Sequence, residues 1–162
     1  MTIEPRFFIT IDTREQSPLE FINQQYVKRT QRLKLNYGDY SATDSDGKTC
    51  PMYFERKSLA DLFGTMGKGN KRFRAEVKRC FDDGKQMTII VEKPLETVWK
   101  GYEHSMLSGQ QVGRTLFTLF LKYDIEFVCC SNRSEMELYI SEYFYSYFKN
   151  IKFLEENLCD QK

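Results

Sequence analysis

Met52-Tyr53-Phe54-Glu55-Arg56-Lys57-Ser58-Leu59-Ala60-Asp61 is the stretch on which the reading of this chain turns. From Met52 to Ser58 the pattern predicts a strand, whose side chains alternate between the two faces of a sheet. Glu55 and Lys57 then share one face and Arg56 takes the other. A carboxylate and an ammonium two residues apart on a strand suit a site where a hard divalent cation meets a phosphodiester, with the amine beside the attacking water. Ser58 opens a capping box, and Leu59, Leu62, Phe63 and Met66 give the following helix its apolar spacing. Asp61 is accordingly read as a cap, not a metal ligand.

Upstream, Leu33, Leu35, Tyr37 and Asp39 alternate and predict a second strand ending with its acid on the core-facing side. Asp44-Ser45-Asp46-Gly47-Lys48 turns between the two strands. A symmetric two-residue turn at Asp46-Gly47 would set Asp39 opposite Phe54, on the wrong face from Glu55. The chemistry requires an odd-length connection or a bulge that brings Asp39 across from Glu55. Phe7 to Ile11 predicts a first apolar strand, after which Ser17-Pro18-Leu19-Glu20 supplies a cap and a first-turn proline for a helix. With that cap provided, Asp12 and Glu15 have no structural duty in the connection and are expected at the site.

At 162 residues without a Pro-, Gly- or Ser-rich divider, the chain is expected to form one domain over 1–162. Glu4 and Arg6 precede the first strand where a signal peptide would be apolar, and no run is long enough to cross a membrane. A soluble intracellular protein, of cytoplasm or nucleus, is expected. Five cysteines (Cys50, Cys80, Cys129, Cys130, Cys159) lack the paired spacing of a zinc site and are read as reduced thiols. His104 is the only histidine, which excludes a multi-histidine metal site.

A net charge of +1 means that any attraction to nucleic acid must be local. It is concentrated from Lys68 to Arg79. On a helical wheel Phe73, Val77, Cys80 and Phe81 form a buried stripe, while Lys71, Arg72, Arg74, Lys78 and Arg79 fan across the other side. With Lys68 these are the candidate phosphate contacts; a solvated helix face accounts for the same charges equally well.

Met87 to Val91 reads as a central strand covered on both faces. Ser108-Gly109-Gln110-Gln111 opens a helix buried through Val112, Leu116, Leu119, Phe120 and Tyr123, and Ile125 to Cys130 is the next strand. Ser134-Glu135-Met136-Glu137 caps a last helix carrying Tyr139, Tyr143, Phe144, Tyr145, Tyr147 and Phe148. That aromatic load predicts self-association through this helix and its neighbours. Glu96 to Gln110, with Trp99, Tyr102 and His104, is the one stretch long enough to grip substrate. The alternation of strands and helices demands an α/β fold with a mixed sheet.

Asp12-Thr13-Arg14-Glu15, Gly38-Asp39-Tyr40, Glu55-Arg56-Lys57-Ser58 with Asp61-Leu62, and Arg72-Phe73 with Glu76 together resemble the XPF/Mus-type nuclease domain, the excision-repair branch of the restriction-endonuclease-like superfamily. The resemblance implies a restriction-endonuclease-like mixed central sheet flanked by helices, dependence on Mg²⁺ or Mn²⁺, and endonucleolytic cutting of branched DNA. It implies a catalytic set of Asp12, Asp39, Glu55 and Lys57. Asp39 and Glu55 would be the main metal ligands, Asp12 would complete or orient the site, and Arg14, Glu15 and Arg56 would support it. Members of that family dimerise through this domain, so a homodimer or heterodimer is expected. No helix-hairpin-helix repeat follows Phe148, and a stand-alone nuclease this compact suits a virus, a phage or a mobile element. A non-catalytic DNA-binding or dimerisation partner of an active nuclease is the other reading, although such partners typically lose the acids that this chain keeps.

Overall fold

A computed structural model describes residues 4–67 and 70–159 of the chain. Its strands are β1 (Phe7–Asp12), β2 (Val27–Leu33), β3 (Tyr40–Asp44), β4 (Met52–Lys57), β5 (Gln86–Val91) and β6 (Glu126–Cys129). They form one mixed sheet in the order β2-β1-β3-β4-β5-β6. β1 runs parallel to β2 and antiparallel to β3, β3 and β4 are antiparallel, and β4, β5 and β6 are parallel. The helices are α1 (Leu59–Met66), α2 (Asn70–Asp82), α3 (Leu95–Lys100), α4 (Gly109–Tyr123) and α5 (Arg133–Cys159).

Alternation along the strands sorts the core into two layers. Met87, Ile89 and Val91 of β5 pack with Leu62 and Phe63 of α1, Phe73 and Val77 of α2, and Val112 and Leu116 of α4. Ile90 points the other way, joining Phe7, Ile9, Phe54 and the α5 side chains Met136, Ile140, Phe144 and Phe148. Glu55 and Lys57, out of phase with Phe54, therefore fall on the α1–α2 side. β5 is buried on both faces, as its continuous apolar run required.

The stretch from Leu33 to Asp39, expected as a strand, is not one beyond its first residue, and β2, which was not expected, lies just before it. β2 stops at Leu33, which lies exposed on the sheet's edge strand, and residues 34–39 leave the sheet before β3 begins at Tyr40. The break falls at Gly38, whose φ of 57° no strand accommodates. No helix follows β1. Residues 13–26 run as turns because Glu15 Oε1 accepts the Ser17 N–H (2.9 Å) and the Tyr40 hydroxyl accepts that of Leu19 (3.0 Å), which fixes this backbone by tertiary bonds. Leu19 and Phe21 plug the α5-side core from this connection.

Further corrections concern the helices. Phe81 and Phe120 lie at the margins of their apolar stripes and are exposed; Tyr123 is half-buried against the Phe81 ring, 5.9 Å between centroids. The stretch from 96 to 110 is not an open loop. It contains α3, and the Trp99 ring lies against Gly113 of α4, where a Cβ would stand 2.4 Å from it. The N-cap of α5 is Asn132, whose Oδ1 accepts the Glu135 N–H (2.9 Å), not Ser134. The aromatics of α5 are mostly engaged by their own sheet: Phe144 and Phe148 pack on Phe7, Tyr139 and Tyr143 stand edge-on to Phe54, and Tyr145 stacks on Tyr26 at 4.3 Å. Among the described residues no helix is long and apolar enough to cross a membrane. Cys50, Cys80, Cys129 and Cys130 are free thiols, and burial pushes each upward in proton affinity; the side chain of Cys159 lies outside the described residues.

Candidate active site

The β3–β4 connection carries the geometry. Near the turn, Asp44 N–H meets the Lys48 carbonyl (2.9 Å) and Thr43 bridges Thr49, so the loop is the three residues Ser45-Asp46-Gly47, with Gly47 left-handed. Further along, Tyr40 opposes Phe54. From one pair to the next the chain takes five steps on the β4 side and three on the β3 side, and the extra length contains Pro51, which cannot donate to a ladder. Asp39 N–H also reaches the Phe54 carbonyl (2.8 Å), so Asp39 and Tyr40 stand opposite one residue in the manner of a β-bulge. The expected odd-length connection and the expected bulge are both present, and Asp39 does not simply face Phe54.

Asp39, Glu55 and Lys57 consequently line one cavity of about 260 Å³, together with Asp12, Arg14, Gly38, Thr65, Arg72, Phe73 and Glu76. Asp39 Oδ2 accepts the main-chain N–H of Arg56 (2.8 Å). Burial, then the charges of Glu55 and Glu15, raise the Asp39 carboxyl to about 8. Burial likewise raises Glu55, against the pull of Lys57, whose Nζ lies 2.8 Å from Glu55 Oε1 and 4.9 Å from the centre of the Phe73 ring.

Asp12 and Glu15 do carry structural duties, contrary to expectation. Asp12 Oδ1 accepts the main-chain N–H (2.8 Å) and Nε (2.7 Å) of Arg14, while Oδ2 accepts Arg14 Nη2 (3.1 Å) and the Leu35 N–H (2.6 Å). Burial alone would raise this carboxyl, but the bonds from Arg14 and Leu35 outweigh it and hold it low. Asp12 thus fixes Arg14 on the cavity rim and has both oxygens occupied. Glu15 is gripped by the Arg56 fork, Nε to Oε2 and Nη2 to Oε1, both 2.9 Å, and by the Tyr40 hydroxyl. Arg56 continues to Glu92 (3.1 Å) on the sheet face away from the cavity. Its guanidinium is a structural clamp.

Of the basic residues expected to meet phosphate, Arg72 lines the cavity. Arg79 follows it two turns later on the same side of α2, Lys71 and Lys78 face outward, Lys78 pairs with Asp82 (2.5 Å), and Arg74 bonds the side chain of Asn70. Lys68 lies outside the described residues. Glu76 was not expected in the site. It belongs to the motif with Arg72 and Phe73, and its i,i+4 spacing from Arg72 was the signal that both share one side of the helix. Among the described residues no group of three His, Cys, Asp or Glu side chains is arranged to hold a metal ion by itself.

Residues 11–143 match the model of the ERCC4 domain, and the chain belongs to that family. Among solved structures it is similar to XPF from Aeropyrum pernix, at 18% identity over 92% of this chain and 69% of that one, with a TM-score of 0.69. It is also similar to XPF from Aeropyrum pernix in complex with DNA, at 22% identity over 85% of this chain and 62% of that one, TM-score 0.65. Among curated protein sequences no relative is found. The six-stranded mixed sheet flanked by helices is thus the restriction-endonuclease-like fold of the XPF nuclease domain.

Proposed function

We propose that this chain is a divalent-metal-dependent endonuclease that hydrolyses phosphodiesters in branched DNA such as flaps, forks or junctions, leaving a 5′-phosphate. The observation that carries this is the meeting of Asp39, Glu55 and Lys57 in one cavity beside the basic helix α2. The donor set fits Mg²⁺ or Mn²⁺. Asp39 Oδ1 and Glu55 Oε2 accept no hydrogen bond from the described residues, and two half-buried carboxylates with raised proton affinity are what a cation would relieve. A small hard ion needs only one or two protein carboxylates, the rest of its shell being water and substrate phosphate. A bound cation supplies Lewis acidity at phosphorus and makes water a better nucleophile.

The chain's own residues supply the remainder. Lys57, fixed by Glu55 and the Phe73 ring, orients water and offsets charge growing on the phosphoryl oxygens. Arg14, held by Asp12, and Arg72 bracket the cavity and bind adjacent phosphates. A purely DNA-binding partner would have no use for two acids crowded together in one half-buried cavity, an arrangement that raises both in proton affinity. Incubation with labelled 5′ flap, fork, four-way junction and linear duplex in Mg²⁺, Mn²⁺ or chelator tests the reading. Asp39→Asn and Glu55→Gln should abolish cutting while sparing the fold, and Lys57→Ala should lower turnover more than affinity. Wild-type cleavage by either carboxamide variant would refute the site.

The dimer belongs to the same proposal, through α5 and its neighbour α4 but not through the aromatics from Tyr143 to Phe148. Tyr143 to Phe148 are largely occupied within the fold, whereas Phe117, Phe120 and Leu121 of α4 and Leu138 and Tyr139 of α5 are exposed around the edge strand β6, Leu121 by 82%. Self-association through this edge would cover both the apolar groups and the open strand. Leu121→Glu should shift a sedimenting dimer towards monomer; a wild-type monomer at micromolar concentration would remove the idea.

A further inference from the structure

We infer that Glu76 is a positioning residue: its carboxylate ties the basic helix α2 to Gly38-Asp39, so that DNA seated on α2 holds Asp39 ready for its cation. The inference rests on the nuclease reading above and gives a role to a residue which that reading leaves idle.

Three elements of the fold, β1, β4 and α2, meet at this dipeptide. Asp39 N–H goes to the Phe54 carbonyl on β4, the Asp39 carbonyl takes the Asp12 N–H from β1, and Asp39 Oδ2 takes the Arg56 N–H. The Gly38 N–H is turned out of the sheet by the left-handed backbone there. No strand can accept it, and its partner is Glu76 Oε1 at 2.9 Å, from the helical layer. Gly38 cannot relax elsewhere, because any side chain at this position would begin 2.9 Å from the Phe54 carbonyl oxygen.

A second tie lies two turns along the same side of α2, where the Tyr37 hydroxyl donates to Asp83, directly after the helix. Tyr37 is itself buried against Tyr53 of β4. The segment 37–39 is therefore fastened to α2 at Glu76 and to the residue that follows the helix, Asp83. Arg72 stands one turn before Glu76 and lines the cavity with it. A phosphate held by Arg72 and an acid held through Glu76 are thus linked by a single rigid helical turn.

The test uses Glu76→Ala, Glu76→Gln and Tyr37→Phe in the full chain, each checked for folding by thermal melting. Amide exchange over residues 37–40 reads the tie directly. Ca²⁺ titrations with and without a 5′ flap DNA read the coupling, and kcat against KM in Mg²⁺ reads its use. Removing the acceptor with Glu76→Ala should speed exchange, abolish the tightening of Ca²⁺ binding by DNA, and lower kcat about 10- to 100-fold with little change in KM. Glu76→Gln, which keeps an acceptor oxygen, should restore all three, and Tyr37→Phe should give the alanine pattern at smaller amplitude. Unchanged exchange in Glu76→Ala overturns the tie whatever the activity, and a glutamine variant as impaired as alanine shows that charge, not attachment, matters. A wild-type chain that binds no Ca²⁺ and cuts nothing, while exchange still depends on Glu76, sinks the nuclease reading and leaves the attachment standing.

Discussion

Asp39 reaches across to β4 and accepts the main-chain N–H of Arg56 at 2.8 Å, which draws its carboxyl alongside Glu55 in one half-buried cavity. Burial first and Glu55 second raise that carboxyl to about 8. The folded, metal-free protein then binds a proton that the unfolded chain releases near its ordinary value. This contribution to stability is complete below the ordinary carboxylate range and is lost as pH rises towards 8. In chelator the melting temperature should therefore fall between about pH 5 and pH 8, and Asp39→Asn should flatten the fall. Cation binding runs the other way. Affinity should increase with pH, by at most about tenfold per unit for one proton, and calorimetry in buffers of different ionisation enthalpy should detect proton release. A pH-independent affinity would refute the protonated state.

The Glu55-Arg56-Lys57 strand, its cap at Ser58 and the doubly buried β5 were legible because alternation and capping are local signals. The bulge at Asp39 was legible only through chemistry: two acids that must share a face forced a register that turn type alone would not give. What was hidden depends on partners far away in sequence. Ser17-Pro18-Leu19 carries every local mark of a helix start, yet Glu15, Tyr40 and Arg133 claim its backbone groups, Arg133 donating to the carbonyls of both Ser17 and Pro18. The sequence hides the duty of Asp12 for the same reason, since Leu35 approaches it only in the fold.

The Glu15–Arg56 pair should behave as a structural ion pair. Both side chains are nearly buried, 5% and 9% exposed, and the fork leaves neither with an alternative partner of equal geometry. Breaking it by Arg56→Met or Glu15→Gln strands a charge or a fork, at a cost of roughly 3–5 kcal/mol. Urea unfolding should show that loss, with cleavage by the remaining folded fraction close to normal for Glu15→Gln. A Glu15→Gln protein that is fully stable but inactive would place Glu15 in the chemistry itself, beyond the supporting role expected of it.

Gly38→Ala separates strain from chemistry. A residue with a Cβ pays about 1–2 kcal/mol for the left-handed backbone and must also push back the Phe54 carbonyl, 2.9 Å away. The displacement falls on the bond between Asp39 N–H and the same carbonyl. Melting should drop by several degrees, and turnover measured well below the melting point should drop further than binding of DNA. Equal activity at low temperature would mean that Asp39 tolerates movement of its own backbone.

Arg72 and Lys78 sit on one helix and should differ sharply. Arg72 lines the cavity, where a phosphate would meet it, while Lys78 faces outward and is matched by Asp82 one turn later. Each phosphate contact adds about 0.9 to the slope of log affinity against log salt for duplex DNA. Arg72→Ala should weaken binding of flap and linear duplex alike and reduce that slope by about one. Lys78→Ala should leave the slope almost unchanged, because its charge is already offset by a neighbour. Fluorescence anisotropy in chelator from low to moderate salt distinguishes the two, and an equal loss of slope in both variants would mean that DNA lies along the outer face of α2 and not across the cavity.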